Sequence, residues 1–176
     1  PVLCPLIGAV PDPNPGIRER VRKLLFGFLR DMEAGVPALA RLLVHDDAAV
    51  RRAAVEAFAE LNAGERGAFA LPELVHLYLS EPTVVVRRLA LQAIARLGAG
   101  AGPALPDLSL RLVGEPDPES RRLLAEILGN IGAPAVCARE GLVLLVREDE
   151  PAISHEAAGA LGRIDALVGA PPAKNQ

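Results

Sequence analysis

Apolar residues recur at helical spacing in a segment that is repeated along the chain. Four copies align at Val50, Val86, Ser120 and Ile153, and a weaker copy aligns at Ile17, so the steps are 33, 36, 34 and 33 residues. In the copy that begins at Val50, apolar residues follow four, seven and eight positions later, which is the spacing of one helix face. The pattern therefore predicts tandem repeats, each with an amphipathic helix.

Start signals precede these helices at a constant distance. Asn14, Asp47, Thr83 and Asp117 lie three residues before the aligned positions. A side-chain oxygen at that place can accept a hydrogen bond from the free backbone N–H groups of the first helical turn. We therefore predict that all four residues cap the helices that follow them.

A shorter apolar segment lies upstream of each repeat helix and begins with a proline in three copies, at Pro37, Pro72 and Pro106. Proline suits the first helical turn, where its missing N–H is not needed. Glycines fall where the helices should stop, at Gly98 and Gly132 among others. The predicted unit is therefore helix, tight turn, helix, occurring about five times.

This pattern, which can be written PALxxLLxDxxxxVRxxAxxALGxIG, resembles HEAT repeats, in particular the short bacterial or phycobilisome-lyase-like type. The resemblance implies an all-α fold, a right-handed α-solenoid of about five two-helix units whose second helices line a concave face. We expect one array over residues 1–168 and a tail over 169–176. The units within the array are expected at about 1–32, 35–63, 68–98, 102–132 and 133–168.

Composition narrows the possible functions. The 176 residues carry 19 basic and 22 acidic side chains, so no strong field favours nucleic acid or a membrane surface. No apolar run reaches the length of a membrane span, and two cysteines do not form a disulfide framework. We expect a cytoplasmic protein. Because the chain begins with Pro1 rather than Met, we also expect it to be part of a longer protein.

Arginine occupies the second position of four copies, at Arg18, Arg51, Arg87 and Arg121. An arginine there can reach an acid or the carbonyl groups of a neighbouring turn and so tie consecutive units together. Asp47 and Asp117 are the acids expected to receive it. The prediction is an inter-repeat ladder, and a ligand-binding role for the column is the alternative.

The third position carries the candidates for binding a partner. They are Arg52, Arg88, Arg122 and His155, with Arg96 two turns beyond Arg88. Arg52 and Arg122 each have a glutamate four residues later and can form intrahelical ion pairs, whereas Arg88 and Arg96 do not. This face is interpreted as a solvated surface of mixed charge, as a groove for an acidic peptide or helix, or as a contact for a phosphate backbone.

His155 and Glu156 raise the possibility of a metal site, because the segment SHEAAGALGRI resembles the metal-holding repeats of deoxyhypusine hydroxylase, a HEAT-like di-iron enzyme. A two-iron centre needs several nitrogen and oxygen ligands at once. The corresponding positions of the other copies include arginines such as Arg52, Arg88 and Arg122, which cannot complete such a site. No metal or other cofactor is therefore predicted.

The function predicted from these observations is a non-catalytic scaffold that binds a helix or an acidic segment of a protein partner along the concave face. The alternatives are a bilin-lyase-like protein, a nucleic-acid-binding HEAT protein or a relative of the metal-dependent hydroxylase. Self-association is a further hypothesis, because the N-terminal segment VLCPLIGAV lacks charge and Ile164, Leu167 and Val168 lie near the other end.

Overall fold

The computed structural model describes residues 35–60 and 64–168, together with Asn14, Gly16 and Arg20. Within this part the chain forms helices and no strand, so the predicted all-α fold class, a solenoid of HEAT-like repeats, is confirmed. The α-helices are α1 (Gly35–Leu43), α2 (Ala48–Glu60), α3 (Leu71–Ser80), α4 (Val84–Arg96), α5 (Leu105–Leu112), α6 (Pro118–Ile131), α7 (Arg139–Val146) and α8 (Pro151–Val168). Three 3₁₀ helices separate the pairs, at Gly64–Ala70, Gly98–Ala104 and Ala133–Ala138.

The helices group into two compact units, residues 1–97 and residues 98–176. The first unit contains α1 to α4 and the second contains α5 to α8. In each unit the first helix of a pair (α1, α3, α5 or α7) packs against its second helix (α2, α4, α6 or α8), and the two second helices pack side by side. The predicted repeat 1–32 and the predicted tail 169–176 lie outside the described residues, apart from Asn14, Gly16 and Arg20.

Leucine, isoleucine, valine and alanine build most of the core in the described residues, because aromatic residues make up only 3% of the chain. In the second unit, α6 buries Leu124, Ile127 and Leu128 completely, α8 buries Ala157 and Ala160, and the two helices pack together. Complete burial of a leucine or isoleucine side chain contributes about 1.5–3 kcal/mol. The apolar stripes predicted from the sequence are therefore the buried faces of these helices.

Two of the predicted caps are present at the starts of second helices. The Asp117 carboxylate accepts hydrogen bonds from the backbone N–H of Ser120 at 2.9 Å and from its hydroxyl at 2.7 Å. Asp47 accepts from the N–H of Ala49 at 2.8 Å. At the first copy, Asn14 accepts from the N–H of Gly16 at 2.9 Å.

The predicted cap at Thr83 is wrong. The Thr83 side chain makes no capping hydrogen bond at the start of α4. The Glu81 carboxylate instead accepts from the backbone N–H of Thr83, at 3.4 Å. Glu81 has the longer side chain and reaches this turn from two residues upstream. The side-chain acceptor at the start of α4 therefore comes from a residue that precedes the helix.

Glycine stops two of the second helices, as the sequence predicts. Gly98 follows α4 with φ 56°, and Gly132 follows α6 with φ 79°. Left-handed backbone of this kind is unfavourable for residues that carry a Cβ. The N–H of Gly132 still reaches the carbonyl of Leu128, at 3.2 Å, and this bond closes the last turn of α6.

Candidate functional site

Arg51 joins the turns of two consecutive repeats in the first unit. Its Nη1 donates to the backbone carbonyls of His45 at 2.9 Å and Asp46 at 2.8 Å, in the turn before its own helix. Its Nε and Nη2 reach Glu81 Oε2 in the next turn, at 2.9 and 2.8 Å. The Glu81 side chain is only 2% exposed, so this ion pair is almost entirely shielded from water.

Arg121 repeats the arrangement in the second unit. Its Nη1 donates to the carbonyls of Glu115 and Pro116, at 2.8 and 3.3 Å, and its Nη2 lies 3.1 Å from Glu148 Oε2. Glu148 is 30% exposed, far more than Glu81. Arg87 binds its own turn in the same way, through the carbonyls of Glu81 and Pro82, each at 3.0 Å.

The acids that receive Arg51 and Arg121 were not identified from the sequence. They are Glu81 and Glu148, whereas Asp47 and Asp117 cap their own helices. The sequence does contain a pattern that points to these glutamates. The four-residue segments SEPT, GEPD and REDE recur at steps of 34 and 33 residues, and the second residue of each is glutamate. Arg18, the remaining member of the predicted ladder, lies outside the described residues.

The third-position candidates differ in how much of their charge faces solvent. Arg52 has a side chain that is 57% exposed and pairs with Glu56 at 2.9 Å, one turn along α2. Arg88 is half-buried and takes part in a polar interaction. Arg96 and His155 are exposed. Arg52 and Arg96 are therefore the arginines of this set in the first unit that are exposed to solvent.

Arg122 lies within a network of charges on α6 and α8, which we call the α6–α8 network. Its guanidinium is 2.8 Å from Glu119, 3.2 Å from Glu126 and 3.9 Å from Glu156. Glu156 also pairs with Arg163 at 2.8 Å. The hydrogen bond that Arg122 donates to Glu119, followed by the charges of Glu119 and Glu126, raises the pKa of Arg122 against the opposing effect of desolvation. Three carboxylates thus surround two guanidinium groups, and Arg122 is largely neutralised.

Arg163 also covers the contact between α6 and α8. A Cβ added to Gly129 would collide with the Arg163 guanidinium, so the side chain lies directly across the small residue on the neighbouring helix. Its ion pair with Glu156 holds it in this position. The charged groups of the α6–α8 network are therefore paired with one another across and along the two helices.

Arg139 and Asp165 form an exposed bidentate pair between the start of α7 and the end of α8, with N–O distances of 3.2 and 2.9 Å. The hydrogen bond from Arg139 lowers the pKa of Asp165. A carboxyl group whose pKa is lower in the folded than in the unfolded state stabilises the folded protein. This stabilisation is fully present above the unfolded-state pKa of about 4 and is lost as the pH falls through the folded-state pKa. This pair therefore stabilises the folded protein at neutral pH, and the stabilisation is lost in acid.

We predict that Arg139→Gln will raise the pKa of Asp165 toward its ordinary value, because glutamine removes the charge and the bidentate contact together. The pKa is measured from the pH dependence of the Asp165 carboxyl carbon shift by NMR. Arg147→Gln serves as the control, since it removes an exposed arginine from the turn that follows α7. An Asp165 pKa that is the same in the parent and Arg139→Gln proteins would contradict the prediction.

The described residues hold few other groups that could carry chemistry. Over 35–60 and 64–168, no three His, Cys, Asp or Glu side chains are grouped so that they could hold a metal ion. No helix in these ranges is both long and apolar enough to cross a bilayer. Cys137 is exposed and carries a free thiol. The end of α8 exposes Leu167 and Val168 but buries Ile164, so the expectation that all three form an uncovered end is wrong for Ile164.

Comparison with known proteins confirms the family resemblance. The family model for HEAT repeats matches residues 2–95, just over half of the chain. No curated protein matches. A chain from the complex of CpcE and CpcF of phycocyanin lyase from Nostoc sp. PCC7120 superposes with a TM-score of 0.66 at 22% identity, covering 92% of this chain and 64% of that one.

A second solved structure comes from a study of the phosphorylation switch that controls the interaction between cadherin and β-catenin. It superposes with a TM-score of 0.63 at 18% identity and covers 90% of this chain and 36% of that one. At these identities both structures show the fold alone. The chain spans less than two thirds of the length of either structure.

Proposed function

Because the chain belongs to the HEAT-repeat family, we propose that it is a non-catalytic protein-interaction module that binds a partner segment on the exposed faces of its second helices. Helical repeats place consecutive helices side by side and so offer an extended surface to a partner. The two solved structures compared above come from studies of protein complexes, CpcE with CpcF and β-catenin with cadherin, which supports the same role here.

The observation that carries the proposal is the fixed charge pattern on the second helices. In the α6–α8 network, Arg122 and Arg163 are held by carboxylates from within and between helices, at 2.8 Å for the shortest contacts. Side chains that are already ordered cost less entropy when a partner binds, about 0.5–1.5 kcal/mol less for each long side chain. A surface of this kind is suited to recognition rather than to catalysis.

The exposed arginines of the first unit suggest the chemistry of the bound segment. Arg52 pairs with Glu56 and has a side chain that is 57% exposed, and Arg96 is exposed near the end of α4. Both can therefore approach carboxylates of a partner. Arg122 already contacts three carboxylates, so it contributes less to binding an acidic segment. The proposed partner segment is acidic where it meets the first unit.

We predict that photo-crosslinking will place a protein partner on the second helices. A photoreactive benzoylphenylalanine replaces Arg52 or His155 in separate variants, and Leu110 or Glu140 on first helices in the controls. All four positions are exposed. Both second-helix probes are expected to cross-link the same protein in extracts of the cells that produce this chain, and the first-helix probes are not. Cross-links from the first-helix probes alone would contradict the proposal.

The acidity of the segment is tested with the identified partner. Reversing both charges, as Arg52→Glu with Arg96→Glu, is expected to weaken binding about tenfold, since two partly screened contacts of about 0.7 kcal/mol each give that factor. Arg41→Glu, an exposed arginine of α1, is the matched control and should leave the affinity unchanged. Equal affinities of the double variant and the parent would rule out the acidic segment while leaving the cross-linking result intact.

A further inference from the structure

A small cavity, which we call the turn pocket, opens in the first unit between the ends of α1 and α3. Its volume is about 230 Å³, and its walls include Val44, Asp46, Arg51, Ser80 and Glu81. Pockets for drug-sized molecules and cofactors measure about 300–1,000 Å³. The turn pocket is therefore sized for one side chain of a partner rather than for a free cofactor.

The charges that line the turn pocket leave it negative. Arg51 and Glu81 neutralise each other in their ion pair. The Nδ1 atom of His45 accepts a hydrogen bond from the backbone N–H of Asp47 at 3.0 Å, so this atom does not donate to a bound group. Among the described residues, the Asp46 carboxylate has no hydrogen bond or ion pair, so its charge is not compensated.

The backbone adds to this negative potential, because the pocket lies at the carboxyl ends of α1 and α3. A helix carries about half a negative charge at its C-terminus, and cations are favoured there. The Ser80 hydroxyl donates to the carbonyl of His76 at 2.7 Å, which leaves its own lone pairs free to accept. Asp46 and Ser80 thus supply acceptors, and the imidazole of His76 also lines the pocket. The charge of Arg51 is not available to an anion, because its guanidinium is bound to Glu81 and to two carbonyls.

From this geometry we infer that the turn pocket binds the side-chain ammonium of a lysine on a protein partner. The ammonium has three N–H donors and a single charge, which match the Asp46 carboxylate and the Ser80 hydroxyl. Val44, which is 50% exposed, offers an apolar wall for the methylene stem of the lysine. A transition metal is a poorer ligand, because the Nδ1 atom of His45 is already occupied by the Asp47 N–H.

The experiment is an NMR titration with the peptide acetyl-Gly-Lys-Gly-amide and, in parallel, the same peptide with norleucine in place of lysine. Saturable shifts are expected for the backbone amides of residues 44–46 and 80–81 with the lysine peptide only. Asp46→Asn should weaken binding about fivefold, the factor expected for one partly exposed ion pair. Asp107→Asn removes an exposed carboxylate near the start of α5 and should leave binding unchanged.

Three results would each overturn the inference. They are the absence of saturable shifts in the pocket, equal binding of the norleucine peptide, and unchanged binding by Asp46→Asn with its amide spectrum otherwise native. The titration uses a short peptide and no natural partner. Its failure is therefore distinct from a failure of the proposed function, which rests on the second helices.

Discussion

Replacing Glu81 by alanine is expected to lower the free energy of unfolding by about 3 kcal/mol, because removal of one partner strands the other charge of a buried pair. Glu81 is 2% exposed and Arg51 is 19% exposed, so water cannot fully replace the lost carboxylate. The backbone N–H of Thr83 loses its acceptor at the same time. Urea denaturation measures the loss, and amide hydrogen exchange of α2 and α4 locates it.

The chain provides its own control for this prediction. Glu148→Ala removes the corresponding acid from Arg121, but Glu148 is 30% exposed and its contacts are longer, at 3.1 and 3.2 Å. We expect a loss of about 1 kcal/mol for this variant, as for partly solvated ion pairs. A double-mutant cycle between Glu81 and Arg51 isolates the pairwise contribution. Equal losses for Glu81→Ala and Glu148→Ala would show that burial does not determine the effect.

Much of the fold could be predicted from the sequence, because the evidence for it is local and is repeated. Helical spacing, a cap such as Asp117 and a stop glycine such as Gly132 recur about every 34 residues. A helix that is hard to predict in one copy can therefore be predicted from the other copies. Thr83 shows where this reasoning fails. A threonine at the cap position predicts a cap, but the competing acceptor, Glu81, lies outside the helix and is positioned by an arginine 30 residues away.

The candidate site was less predictable because its contacts cross between repeats. The sequence shows that Glu126 lies one helical turn from Arg122, and the structure confirms that contact at 3.2 Å. Glu156, 3.9 Å away, belongs to the next repeat, and its approach depends on how α8 packs against α6. Arg122 was visible from spacing alone, whereas its contact with Glu156 required the packing. Charge on a repeat surface is therefore set by neighbours that helical periodicity does not show.

Gly132→Ala is expected to lower the free energy of unfolding by about 2–3 kcal/mol, because φ 79° with ψ −138° is a region that essentially only glycine adopts. An added Cβ would also lie 2.6 Å from Cδ1 of Leu167. Leu167 is 55% exposed and its terminal atoms can move aside, so backbone strain accounts for most of the effect. Thermal and urea denaturation of the variant measure the loss.

Gly162→Ala is the matched control, since it makes the same chemical change in a regular, exposed part of α8. Nothing lies within 4 Å of a Cβ built there, so alanine should stabilise the helix by up to about 1 kcal/mol. Adding Leu167→Ala to Gly132→Ala separates strain from collision, because it removes the contact but leaves the φ angle. If the double variant recovers the stability of Leu167→Ala alone, the collision is the cause; if the loss persists, the turn itself requires glycine.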